Sequence, residues 1–418
     1  MTQPANRWRA LCLLAMAASW PAFGQSVDSG PRNGNGLKVG EGRLHFTFEF
    51  ETRYDSAVGY FPPPGTTDPT LVSDQLSGEA LMHIRPGLKL ELPGSTLSLD
   101  LKGHADYVHY TGLITPGSTA TSHLEGMADL NVAFNKQAPI GAELADHFQR
   151  SDQTRSAAIG AGVLSLFNEV RLSVPLRPGG GAFEVTPQFA WAVEHFKASG
   201  ALPPVGCGGP ECDPSLVDRF DYGNVRAGLQ ARWRFLPKTA VVADAQFDWR
   251  SYAHGDTPDA LLLHGKAGLA GLVTPKIALT ATVGWGQDFG AASAGAILAQ
   301  LEASYLVSAT ATLKLGYARS LEPVAAFGLF RDDRGYLEAQ ALLGGRLTLR
   351  GATSFDLLSF QGVRHDTLYK LDVGPQYQFQ RWMVLGAGYL LGVRSSSEPG
   401  TGINYSRHEG YVRVTVTY

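Results

Sequence analysis

Few groups in this 418-residue chain have the types and spacing for catalysis. His104 and Asp106 stand two residues apart, so in a strand they share a face. That is a fragment of an acid–base site, with no serine or second carboxylate placed to complete it. Asp146 and His147 are adjacent and would point to opposite faces. No His/Cys run has the spacing of a zinc site. The expectation is a protein that is not an enzyme, with no metal and no cofactor. Cys207 and Cys212 lie in the stretch PPVGCGGPECDPS, where Gly and Pro separate them. In an exported chain that pattern suggests a small disulfide in an exposed loop. The run FRDDRGY, with Arg331, Asp332, Asp333 and Arg334, reads as a solvated exterior turn.

The chemistry present in quantity is charge, and its spacing is regular. Glu49, Glu51 and Arg53 alternate with Phe48, Phe50 and Thr52. Asp100, Lys102, His104 and Asp106 alternate with Leu99, Leu101 and Ala105. Glu125 and Asp129 recur in the next run, and Arg226, Arg232 and Arg234 in another. Arg85, Lys89, Asp244, Asp248, Arg250, Lys370, Asp372 and Arg413 occupy equivalent places elsewhere. A period of two means strands with one apolar face and one polar face. Fifteen acids and fourteen bases fall on the polar face, so neither sign dominates.

The elements that must position these residues are therefore strands, and they are long. Eighteen are expected, centred near 48, 85, 102, 129, 145, 170, 189, 229, 246, 267, 282, 301, 314, 339, 350, 372, 388 and 413. Many run for about 10–13 residues, enough to cross a bilayer at a tilt, whereas globular strands average about 5–6. Tight turns at 93–94, 237–238, 275–276 and 344–345 alternate with longer links at 60–77, 111–121, 197–221, 321–334 and 396–406. Residues 150–160 are too short to fold inward as a constriction. The pattern describes an all-β, transmembrane, antiparallel up-and-down β-barrel of about 18 strands over residues 42–418. Ionisable side chains on the inward face must meet water or each other, which makes the twenty charged and His residues named above pore-lining candidates. Tyr110, Phe196, Tyr252, Tyr389 and Tyr411 are placed on the same face.

The first 24 residues differ. Arg7 and Arg9 precede an apolar run from Ala10 to Ala18, and Ala22-Phe23-Gly24 offers small residues before a cleavage point. That is a Sec-type signal peptide, which sends the chain out of the cytoplasm. Residues 25–41, rich in Gly, Ser and Asn, read as a flexible periplasmic lead-in. A formal net charge of −3 gives no reason to expect a nucleic-acid partner.

The ending YVRVTVTY, closing on Tyr418, resembles the C-terminal strand of Gram-negative outer-membrane barrels. LGYARSLEPVAAFGLFRDDRGYLEAQ and ELADHFQRSDQTR resemble β-barrel porin families of Proteobacteria and myxobacteria, some of the polysaccharide-export type. The resemblance implies outer-membrane lipid and lipopolysaccharide as surroundings. It also implies Tyr418 as the signal read by the barrel-assembly machinery, and a periplasmic polysaccharide-export protein as a partner. The resulting expectation is an outer-membrane channel for hydrophilic solutes, with polysaccharide export first. A passive porin for small nutrients or ions comes second, and a plugged barrel acting as enzyme or adhesin third.

Overall fold

The computed structural model describes residues 36–58, 77–114, 122–152, 163–198, 220–253, 258–290, 293–324, 328–360, 364–397 and 404–418. The signal peptide and the Cys207–Cys212 loop lie outside the described residues. A short strand β1 (Leu37–Val39) is followed by β2 (Gly42–Val58), β3 (Ser77–Leu92), β4 (Leu97–Tyr110), β5 (His123–Phe134) and β6 (Ala142–Ser151). Next come β7 (Val163–Ser173), β8 (Phe183–Ala198), β9 (Tyr222–Leu236), β10 (Thr239–Tyr252), β11 (Ala260–Thr274) and β12 (Ile277–Asp288). The remainder are β13 (Gly295–Ser308), β14 (Ala311–Val324), β15 (Gly328–Leu343), β16 (Leu347–Phe360), β17 (Arg364–Gln380), β18 (Met383–Ser396) and β19 (Tyr405–Thr417).

From β2 onward each strand pairs antiparallel with its sequence neighbours, and β19 returns to pair with β2 from Thr417–Thr47 to Glu409–Asp55. Tyr418 and Phe46 exchange both backbone hydrogen bonds at that seam, at 2.9 and 3.2 Å. The result is a closed 18-stranded barrel with no open edge. All eighteen strand centres expected from the sequence fall inside these strands. The reason is that the side-chain period of a strand is two wherever one face meets oil and the other water.

Along most of the wall the two faces separate by polarity. Phe46, Phe48 and Phe50 on β2, Leu229 on β9, Leu269 on β11, Val283 on β12, Leu301 on β13 and Val412 on β19 are exposed outward. An apolar surface running round the whole wall is not the surface of a water-soluble monomer. It is the hydrocarbon-facing belt of a membrane-spanning barrel. Aromatic rings edge it. Trp191, Val225 and Trp249 lie in line across β8, β9 and β10 toward the long-link end. Phe183, Trp233 and Val241 lie in line toward the tight turns, with Phe235 packed on Trp233 at 5.9 Å. Rings with a polar edge favour those two interfaces.

Three local expectations are corrected. Leu37–Val39, expected within a flexible lead-in, pair with Gly42–Leu44 as a hairpin arm. Tyr389 faces outward, opposite Val373, and its hydroxyl is hydrogen-bonded with His408 Nδ1 at 2.7 Å. The link expected over 321–334 is almost entirely strand: β14 runs to Val324 and β15 begins at Gly328, so FRDDRGY is not a turn. Its charges are stable in a strand because each face pairs its own. Outside, Asp333 accepts from Tyr317 at 2.6 Å, Arg319 at 2.5 Å and Arg331 at 3.0 Å. Inside, Arg334 pairs with Asp356 and reaches Asp332 at 3.4 Å.

Candidate functional site

The inner wall is built by the same alternation that makes the outer belt. Residues opposite each other across a ladder point the same way, so charges on one polar face meet those of the next strand. Across the seam, Arg53 donates to Glu51 at 2.6 Å and to Glu409 at 2.7 Å. Arg85 donates to Glu49 at 2.6 Å and to Asp106 at 2.5 Å, and lies 3.3 Å from Glu51. Arg413 stands 3.9 Å from Glu49, and Arg407 donates to Asp55 at 2.6 Å. Glu51 sits at the centre of this network with no solvent exposure. Asp106 turns to His83, at 3.0 Å, and to Arg85 rather than to His104, which dissolves the fragment of an acid–base site read in the sequence.

Further round the wall, Lys89 pairs with Glu91 at 3.0 Å and Lys102 with Asp129 at 3.4 Å. Asp129 also binds His147, while Asp146, on the other face, accepts from Asn168 at 2.8 Å. Asp100 lies opposite Glu91 and Asn131. Arg226 is held by Glu169, Asp244 lies 3.7 Å from His264, and Asp372 lies 3.5 Å from Arg350. Lys370 lies opposite Ser354 on this face. Arg364 and Arg394 share Asp366, all three buried. Arg232 and Arg234, toward the tight-turn end of β9, join no ion pair among the described residues. Most of these charges are therefore spoken for by a neighbour on the wall.

One place departs from the uniform wall. Pairing between β13 and β14 stops at Ala299–Arg319, yet β14 and β15 remain paired to Val324–Gly328. The upper end of that hairpin has left its neighbour and folded inward. A methyl on Gly286 of β12 would stand 3.5 Å from Leu321 Cδ2, with β13 between their strands. Arg250 of β10, four strands away, donates to the carbonyl of Pro323 at 2.9 Å. Val324, Phe330, Leu358 and Phe360 bury one another beneath the tip, with the two Phe rings 5.2 Å apart. Arg250 itself lies over the Tyr222 ring at 4.1 Å. Asp248 and Asn224 flank it, 3.5 Å apart. The described ends of β14 and β15 thus lie against the inner wall, a different element from the link at 150–160 weighed in the sequence.

At the same end, His123 and Glu125 of β5 meet Asp152, which follows β6. Burial, reinforced by the neighbouring Glu125 charge, pushes the Asp152 carboxyl up to about 6. Sequence spacing could not find this group, because 27 residues separate Glu125 from Asp152 and only the ladder register joins them.

A closed wall, oily without and lined by paired charge within, defines a transmembrane β-barrel of the outer-membrane type. No family profile matches the chain, and no curated protein sequence matches it. Solved structures with a similar course include the siderophore receptor PirA from Pseudomonas aeruginosa, 11% identical, covering 90% of this chain and 80% of that one, at a TM-score of 0.45. OccAB4 from Acinetobacter baumannii is 11% identical and opdK from Pseudomonas aeruginosa 12%; each covers 90% of this chain and 98% of its own, at a TM-score of 0.46. Likeness at this level carries no functional argument, and the fold rests on its own ladder.

Proposed function

We propose that the barrel is an outer-membrane channel for small hydrophilic solutes, narrowed at its outer mouth by the β14–β15 tip. The observation that carries this reading is the Arg250–Pro323 contact, which joins strands that are not neighbours in the wall. A barrel of 16–18 strands encloses water unless something folds into it, and here the inward element is a short hairpin end. Long links face the outside in such barrels, which puts the tip at the outer mouth. The wall's balanced charges favour neither ion strongly, while the tip limits size. Polysaccharide export, first among the sequence expectations, needs a passage for a polymer. Nothing on the wall favours a polymer over a small solute, and the tip opposes one.

Planar-bilayer recording tests this. The wild-type barrel is expected to give discrete conductance steps. Arg250→Ala, which frees the tip, is expected to raise the conductance by about twofold and to add flicker. Liposome swelling should then admit monosaccharides in the wild type and tetrasaccharides only in the variant. A folded wild type that conducts nothing would defeat the channel reading. An unchanged variant would remove the tip from it.

A further inference from the structure

The last rung between β5 and β6 joins Gly126 to Arg150, and beyond it the two strand ends stay side by side. His123 and Glu125, two residues apart on β5, share the inner face. The backbone N–H of Asp152 donates to Glu125 Oε1 at 2.9 Å, bringing a second carboxylate onto the first. His123 Nε2 lies 3.0 Å from the same oxygen. One ligand atom from each of the three side chains lies within 4.8 Å of the others. The Tyr110 ring, 5.9 Å from the imidazole between centroids, packs beside it. The side chains of His123 and Glu125 are only 10% and 13% exposed. Among the described residues, no lysine or arginine forms an ion pair with either carboxylate; the Arg407 guanidinium acts on Asp152 but is itself paired with Asp55 and Glu409. Solute passage as proposed above makes no use of this cluster.

We propose that His123, Glu125 and Asp152 form a site for one divalent transition-metal ion of the zinc class. The donor set decides the class. An imidazole nitrogen suits zinc, cobalt or nickel, whereas magnesium and calcium prefer shells built of oxygen. Three protein ligands leave a coordination position for water or for a group brought by a solute. Binding exchanges the His123–Glu125 hydrogen bond for two metal bonds and relieves the repulsion between the carboxylates. It also ties the first residues of β5 to the residue that follows β6, fastening two strand ends at the rim.

The test uses the untagged full chain, folded in detergent and stripped with EDTA. Cobalt(II) is titrated and read by visible absorption, and zinc(II) by competition against it. One ion per chain is expected, with a visible band of low symmetry. His123→Ala and Asp152→Asn are each expected to weaken binding by about tenfold or more. His408→Ala, on the outer face, should leave binding unchanged. Heat-dependent gel mobility verifies that every variant is a folded barrel. The proposal is overturned if the folded wild type gives no cobalt band, if both site variants bind as it does, or if calcium competes as well as zinc.

Discussion

At the scale of single residues, the inner wall carries its charge without exposing it. Glu51 is fully buried, yet Arg53, Arg85 and Arg413 surround it on three strands. Such a pair adds little net stability when intact, because desolvation offsets attraction. Breaking it is different, because cations are left buried with nothing to answer them. Glu51→Ala is therefore expected to cost about 3–5 kcal/mol, read by urea unfolding in lipid vesicles. A loss under about 1 kcal/mol would mean that water enters the seam freely and screens it as it does surface pairs. The sequence reveals the polarity of these positions but not their partners. Arg53 meets Glu409 across 356 residues, and only closure of the ring makes them neighbours.

At the scale of elements, the strands were legible and one hairpin end was not. Alternation marks a strand that has oil on one side and water on the other. The stretch LEPVAAFGLF is apolar at Leu321, Pro323, Val324, Leu329 and Phe330, on both sides of the chain, so it breaks the rhythm and reads as a link. The physical reason is burial on both faces: this end lies inside the barrel, covered by Phe360 and Leu358, instead of in the wall. The adjoining charges at 331–334 deepened the misreading, since two of them face outward, where lipid was expected. Elsewhere the wall makes room for inward rings by omitting side chains. Tyr411 of β19 lies over Gly388 of β18, where a methyl would collide with the ring. Gly388→Ala should therefore cost about 1–3 kcal/mol by overpacking. Gly410→Ala, with open space around it, should be neutral or slightly stabilising. Equal unfolding midpoints for the two variants would refute the packing account.

For the whole molecule, stability rests on the contrast between the two surfaces, since among the described residues buried apolar side chains form only small local clusters. Leu229 sits halfway along β9, midway between the two aromatic edges, and is 48% exposed outward. Leu229→Arg is expected to cost about 2–4 kcal/mol in a bilayer, because the charge must be placed in hydrocarbon. Gln230→Arg, one residue along and facing inward, should cost far less. If both substitutions cost the same in vesicle refolding, the assignment of inside and outside would be wrong.

The seam has a consequence for timing. Arg407 reaches Asp55 across 352 residues and Thr415 reaches Glu49 across 366, so the two earliest and latest parts of the cylinder are each other's final neighbours. Contacts so distant along the chain are reached slowly. Until they form, the unfinished wall offers two bare rims of peptide groups, each an invitation to a stray strand. A newly delivered chain therefore needs shelter for as long as it takes its tail to find its head, and the ionic stitches along that join hold it shut afterwards.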